Sequence, residues 1–257
     1  MKRLAVVALV VLLFGGAGLP QAQAPAAGTL PTGEAVLIKY IEATGGVAAY
    51  QAIKSRVLKL KIEILGTGVT IMATVYQARP DRTYALAEAD AIGKIETGVT
   101  DGVAWEKSDL RGALIKEGQE RDDALRDAQF DRLVNFRALH KKIECVGLET
   151  VEGKQRYKVV LTPNVGSPQT IYYDRDSGLA VRSESVLATA AGTFSVVSVP
   201  SDYRLVADGI RIAFTNTVTV AGQTRINTIE RVEQNVDIPA DRFALPAEIK
   251  ALLAAKK

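Results

Sequence analysis

Residues 57–65 read VLKLKIEIL. Leu58, Leu60, Ile62 and Ile64 alternate with Lys59, Lys61 and Glu63. A period of two is the signature of a β-strand with one face in oil and one in water. The oily face has to cover something, either a sealed core or a surface that holds an apolar ligand.

Strand-like text surrounds this stretch. Residues 55–108 read as β throughout, with GTG at 66–68, RPD at 79–81 and DG at 101–102 as turns. Such short connections favour antiparallel neighbours. From Ile143 onward β returns, broken by EGK (152–154), NVGSP (164–168), DRDSG (174–178), AAG (190–192), ADG (207–209) and AGQ (221–223). Ile210, Ile212, Phe214, Val218 and Val220 share one face of a long strand.

Three regions depart from this pattern. In TGEAVLIKYIEATGG, residues 32–46, apolar residues fall near helical spacing, with Thr32 as a cap and Gly45-Gly46 as a stop. A second short helix is expected around Val47 to Ile53. Residues 116–142 lose the alternation and are rich in helix formers. Phe130, Leu133 and Val134 are spaced i, i+3, i+4, while Leu125, Phe136 and Leu139 project elsewhere, which fits one helix touching two layers or two shorter helices. A last short helix is expected over Pro246 to Ala255. The whole predicts a mainly β, α+β chain: a large curved antiparallel meander whose helices are available to cover its concave side.

The chain opens Met1-Lys2-Arg3, then runs apolar from Leu4 to Phe14 and reaches Ala22-Gln23-Ala24. A charged head, a short apolar middle and an A-x-A end describe a secretory signal peptide. The apolar run is shorter than the ~20 residues a membrane span needs. The expected organisation is a leader over 1–24, a short Ala/Pro/Gly-rich tail over 25–32 and one domain over 33–257, with a cut after Ala26 as the alternative. Loss of Lys2 and Arg3 lowers the formal charge from +3 to +1. Without a basic stripe or interleaved aromatics, nucleic acid is not an expected partner.

Reactive side chains are scarce. The lone Cys145 lies in strand-like KKIECVGLE and reads as a small apolar residue. The lone His140 follows the helical insertion and reads as a solvated residue at a helix C-terminus. One Cys and one His exclude the usual zinc clusters. DRDSG places its glycine one position early for an EF-hand, and position twelve is Ser185, so it reads as a hairpin turn. No G-x-S-x-G, Walker A or G-x-G-x-x-G pattern is present. No catalytic residue, metal ligand or cofactor is therefore expected.

DGVAWEKS (101–108), IYYDRDSGLAVRSES (171–185), DYRLVADGIRIAFTNTV (202–218) and IERVEQNVDIPADRFALP (229–246) occur here in an order that resembles the periplasmic LolA-like, or outer-membrane lipoprotein-sorting, proteins. The markers are Tyr203-Arg204, Asp208-Gly209, Asn235, Ile238-Pro239, Phe243 and Pro246, and they read as turns and fold markers. The resemblance covers about Glu34 to Pro246. It implies an open β half-barrel with helices over its concave side, holding an acyl chain or other lipid. No residue matches the lid-latching residues of the lipoprotein carrier itself.

Under that resemblance the strand residues Leu60, Ile62, Ile64, Ile71, Val75, Ile212 and Phe214 are expected to line an apolar cavity. Trp105 is a further candidate, and Phe130, Leu133 and Val134 would come from the lid. The expected protein is a monomeric, non-catalytic carrier in the periplasm of a Gram-negative-type bacterium. Its partners would be a lipid or a lipoprotein acyl chain and a membrane donor or acceptor protein. Two other readings stay open: a lipid-responsive sensor module of the envelope, and a secreted hydrolase with two carboxylates brought together in space.

Overall fold

The computed structural model describes residues 29–189 and 192–256. The signal-peptide reading over 1–24 and the first half of the tail over 25–32 lie outside the described residues. The strands form one 13-stranded antiparallel sheet built from two meanders. The first runs β1 (Ser55–Ile64), β2 (Val69–Ala78), β3 (Arg82–Ala89), β4 (Gly93–Thr100), β5 (Val103–Ser108) and β6 (Gly112–Ile115). The second runs β7 (His140–Val151), β8 (Lys154–Pro163), β9 (Gln169–Asp174), β10 (Ala180–Thr189), β11 (Gly192–Leu205), β12 (Arg211–Val220) and β13 (Gln223–Gln234). Pairing of β1 with β13, which sets Leu60 opposite Ile229, joins the meanders at the centre. β6 and β7 remain as the two free edges, so the sheet is a curved half-barrel and does not close.

This topology dictates the helical cover. Residues 116–139 connect one edge strand to the opposite edge strand, so they have to cross a face of the sheet. They do so as two short helices, α3 (Gly118–Ala128) and α4 (Phe136–Leu139), joined by turns over 129–135. Of the two arrangements the sequence allowed, this is the second. Phe130, Leu133 and Val134 thus lie in the connection and not on a helix.

α1 (Gly33–Ala43) starts as read: Thr32 Oγ1 accepts from Ala35 N at 3.1 Å, and Val36, Leu37 and Ile41 are buried. Together with Phe136, Val159, Leu161 and Tyr173 they form a core between α1, α4 and the β7–β9 side of the sheet. α2 (Gly46–Ala52) follows. α3 rests on Val99 and Ala104 through Ala128, with Ala124 and Leu125 partly buried.

A second core occupies the opposite face. Directly paired residues of antiparallel strands share a face. Val57 pairs with Tyr76, Tyr76 with Tyr84, Tyr84 with Gly98, and Gly98 with Trp105. This row belongs to the odd-numbered side of β1, away from Leu60. It is covered by a short 3-10 turn (Ala240–Phe243) and by α5 (Ala247–Ala255), through Phe243 and Ile249. The helices therefore cover both faces: those before the sheet and in the edge-to-edge connection lie on the Leu60 side, as expected, and α5 lies on the other. The C-terminal segment has to follow β13, at the centre of the sheet, and it turns to the outer side.

Candidate functional site

A cavity of about 540 Å³ lies between the even-numbered face of β1 and the helices above it. That is the size of a small-molecule or acyl-chain site. The roof comes from Leu37 and Tyr40 of α1, Tyr50 of α2, and Phe130, Leu133, Phe136 and Leu139 of the edge-to-edge connection. The apolar floor is Leu60, Leu161, Ile171, Ile212 and Ile229.

A polar stripe crosses this floor because strand register aligns it. Asn227 pairs with Asn216, Asn216 with Pro200, and Ser183 with both Ser198 and Ile171. Ser198 Oγ donates to Asn216 Oδ1 at 2.7 Å. Asn227 Oδ1 is buried and accepts no hydrogen bond.

The tyrosines are held as neutral groups. Burial pushes Tyr40 up to about 12 and raises Tyr50, Tyr173 and Tyr203 above the ordinary phenol range. Tyr203 donates to the Ala180 carbonyl at 2.9 Å, and the rings of Tyr40 and Tyr173 stand 5.4 Å apart. His140 borders the cavity at the start of β7. Its Nδ1 lies 2.8 Å from the Phe136 carbonyl, which can only accept, so Nδ1 carries the proton. Burial lowers its pKa. The sequence placed this histidine correctly at a helix C-terminus but in solvent, whereas it is half-buried against the cavity.

The charged lining is of one sign. Arg56, Arg126, Arg132 and Arg211 contribute to it, and among the described residues no Asp or Glu does. Arg126 is neutralised by Asp123 at 2.9 Å and Asp127 at 3.1 Å. Among the described residues Arg56 has no such partner, and burial lowers its pKa. Arg56 escaped the sequence reading although the signal was present. It precedes the VLKLKIEIL stretch by one residue and falls in phase with Leu58 and Leu60.

The residues expected at the site divide as follows. Leu60, Phe130, Leu133 and Ile212 are brought together in the cavity lining. Val134 packs with the α1 core beside it. Ile62, Ile64, Ile71 and Val75 share the Leu60 face, with Ile62 opposite Ile71, but lie outside the lining as half-buried residues further along the sheet. Phe214 leaves the site because the β11–β12 pairing skips Asp202 and Phe214, with Asp202 at a φ of 52°. Such a kink re-aims side chains, and the Phe214 ring lies beneath Arg204, 4.5 Å from it. Trp105 is core on the opposite face, 1% exposed. A smaller cavity of about 260 Å³ beside it is lined by Tyr84, Glu96 and Arg242.

The markers of the resemblance sit at structural joints. Asn235, at a φ of 56°, accepts from Lys54 N at 2.8 Å and donates to Asp208 at 3.1 Å, tying the start of β1 to the end of β13 and the turn at 207–209. Asp174 organises the DRDSG hairpin by accepting from Ser177 N at 2.7 Å, and it pairs with Arg156.

No protein-family model and no curated protein matches the sequence. Solved structures do match. An outer membrane lipoprotein-sorting protein domain from Vibrio parahaemolyticus aligns over 86% of this chain and 99% of its own, at 10% identity and a TM-score of 0.54. A DUF1329 family protein from Desulfovibrio piger aligns over 84% and 98%, at 13% identity and a TM-score of 0.57. A LolA superfamily protein from Nitrosomonas europaea aligns over 84% and 99%, at 11% identity and a TM-score of 0.54. At these identities the likeness is one of fold, and the fold of this chain is LolA-like.

Proposed function

We propose that the protein is an exported, non-catalytic carrier that holds a lipid, or the acyl chain of a lipoprotein, in the cavity beneath α1, α4 and the 129–135 connection. The observation that carries this reading is the cavity itself: about 540 Å³ walled mainly by Leu, Ile, Phe and Tyr. Burying an acyl chain returns about 0.8 kcal/mol per methylene, so a 16-carbon chain gains on the order of 12 kcal/mol before ordering costs. No nucleophile or metal is needed for that task. A two-carboxylate hydrolase would need acids in the cleft, and among the described residues none lines it.

Native mass spectrometry of the protein purified from its own envelope fraction tests the proposal. A stoichiometric lipid or acylated partner is expected, and it should be lost in Leu60→Asp and Leu133→Asp variants that remain folded. A ligand-free protein that also fails to take up added lipids would overturn the reading.

A further inference from the structure

Arg56 is anomalous among the arginines of this face. Arg79 is fully engaged, with Asp131 and with the carbonyls of Ile53, Tyr50 and Gln51. Arg126 has two carboxylates and the Ser167 carbonyl. Arg56 sits on the apolar phase of β1, and among the described residues it has no ion pair and its Nε is shut from solvent without an acceptor. Its neighbours are the Phe130 ring, 5.7 Å from the guanidinium, and Arg132, a like charge that opposes it. Arg132 itself reaches Asp127, at 3.6 Å.

A guanidinium does not discharge by losing its proton in a protein. Held out of water without an anion, it is a standing cost. Arg56 is such a group, and Arg132, exposed and 3.6 Å from Asp127, adds a second positive charge to the same lining, so the two form a site for negative charge. Leu60 and Ile229 of the apolar floor lie further along the same strand pair, and Arg56 lines the same cavity. Asn227 Oδ1, the other unpartnered polar atom there, would accept from a ligand hydroxyl.

We propose that the cargo is an anionic amphiphile, with its chain against Leu60, Leu133 and Ile212 and its carboxylate or phosphate between Arg56 and Arg132. This rests on the carrier reading and narrows it to a class of ligand.

Equilibrium dialysis of the delipidated protein against palmitate, hexadecyl phosphate and hexadecanol, each below its aggregation concentration, tests it. The three share a chain and differ in the head. At least one anion is expected to bind about tenfold or more tighter than hexadecanol. The better of the two anions tells a fatty carboxylate from a lipid phosphate. Arg56→Gln should abolish the preference for the anions over hexadecanol. If that variant fails to fold, Arg132→Gln should reduce the same preference. Equal binding of all three probes by the unaltered protein overturns the inference and leaves the carrier reading standing. Binding of none overturns both.

Discussion

Gly98 lies flat beneath Trp105: a Cβ built on Gly98 would come within 2.6 Å of indole Cε2 and Cζ2. The two are direct partners across β4 and β5, and the indole, 1% exposed, fills the space that a side chain would occupy. Gly98→Ala is therefore expected to force the indole off its seat and destabilise the fold by about 1–3 kcal/mol, the usual cost of overpacking a core. A denaturant titration checks this, with the midpoint falling and the slope unchanged. Because the Trp105 core is on the face opposite Leu60, lipid affinity of the folded variant should stay at its original level. A large loss of binding would contradict the separation of the two faces.

Arg79 is the tie between the first helices and the edge-to-edge connection. Its Nε donates to the Ile53 carbonyl at 2.7 Å, its Nη2 to those of Tyr50 and Gln51 at 3.1 and 3.2 Å, and its Nη1 pairs with Asp131. These carbonyls end α2, and that of Tyr50 also accepts from Ile53 N at 3.3 Å. Arg79→Ala removes the Arg79 donors to the Gln51 and Ile53 carbonyls and leaves Asp131 without its cation, and a loss of about 2–4 kcal/mol is expected. Hydrogen exchange should accelerate together over residues 50–53 and 129–135. Acceleration confined to one of the two segments would show that Arg79 does not couple them.

Much of this fold is legible in the sequence because period-two alternation and turn residues are local signals. The hairpins at 101–102 and 152–153 place Asp101 and Glu152 at φ 50° ahead of Gly102 and Gly153, which is what Asp-Gly and Glu-Gly text requests. The edge strand β6, four residues long, lies beyond the expected strand region because so short a run carries no measurable period. The site is less legible. Leu60, Phe130, Leu133 and Ile212 share a cavity only because β13 closes on β1, a pairing of residues far apart in the chain. Trp105 and Leu60 both read as inward-facing, and nothing local states which of two covered faces each one joins. Phe214 is in phase with Ile212, and only the backbone of Asp202 on the neighbouring strand removes it.

His140 makes stability pH-dependent with a definite sign. Its pKa lies below the ordinary 6.5, chiefly through burial, opposed in part by the Phe136 carbonyl and reinforced by Arg126 and Arg132. The unfolded chain therefore binds this proton more readily than the folded one, and stability falls as pH drops from 6.5 towards the folded-state value. The loss is complete below that value and absent well above 6.5. His140→Asn keeps a donor towards the Phe136 carbonyl and cannot titrate. Melting temperatures compared at pH 7.5 and 5.5 are expected to converge in the variant relative to the unaltered protein. An unchanged pH slope would assign the dependence to carboxylates instead.

Asp123 latches α3 to the far half of the sheet. Its Oδ1 accepts from Ser167 N at 2.7 Å, its Oδ2 from Ser167 Oγ at 2.8 Å, and Arg126 bridges the same residue by donating to the Ser167 carbonyl at 3.0 Å. Beyond this latch, Glu120 pairs with Lys116 at 2.8 Å, and Ala128 is the one buried residue of the helix, with Ala124 and Leu125 partly buried. An element with few apolar contacts and a polar latch opens at low cost. Asp123→Ala removes charge-assisted bonds of about 1.5–3 kcal/mol and leaves Arg126 with Asp127 and the Ser167 carbonyl. Under the carrier reading the helix is part of the lid, and release of a bound fluorescent fatty acid, followed by stopped flow, should quicken by about tenfold or more while uptake quickens too. Global stability should fall by less than the latch energy if α3 opens independently of the sheet. Release at the original rate, with exchange protection lost over 118–128, would show that the ligand leaves by a route that α3 does not guard.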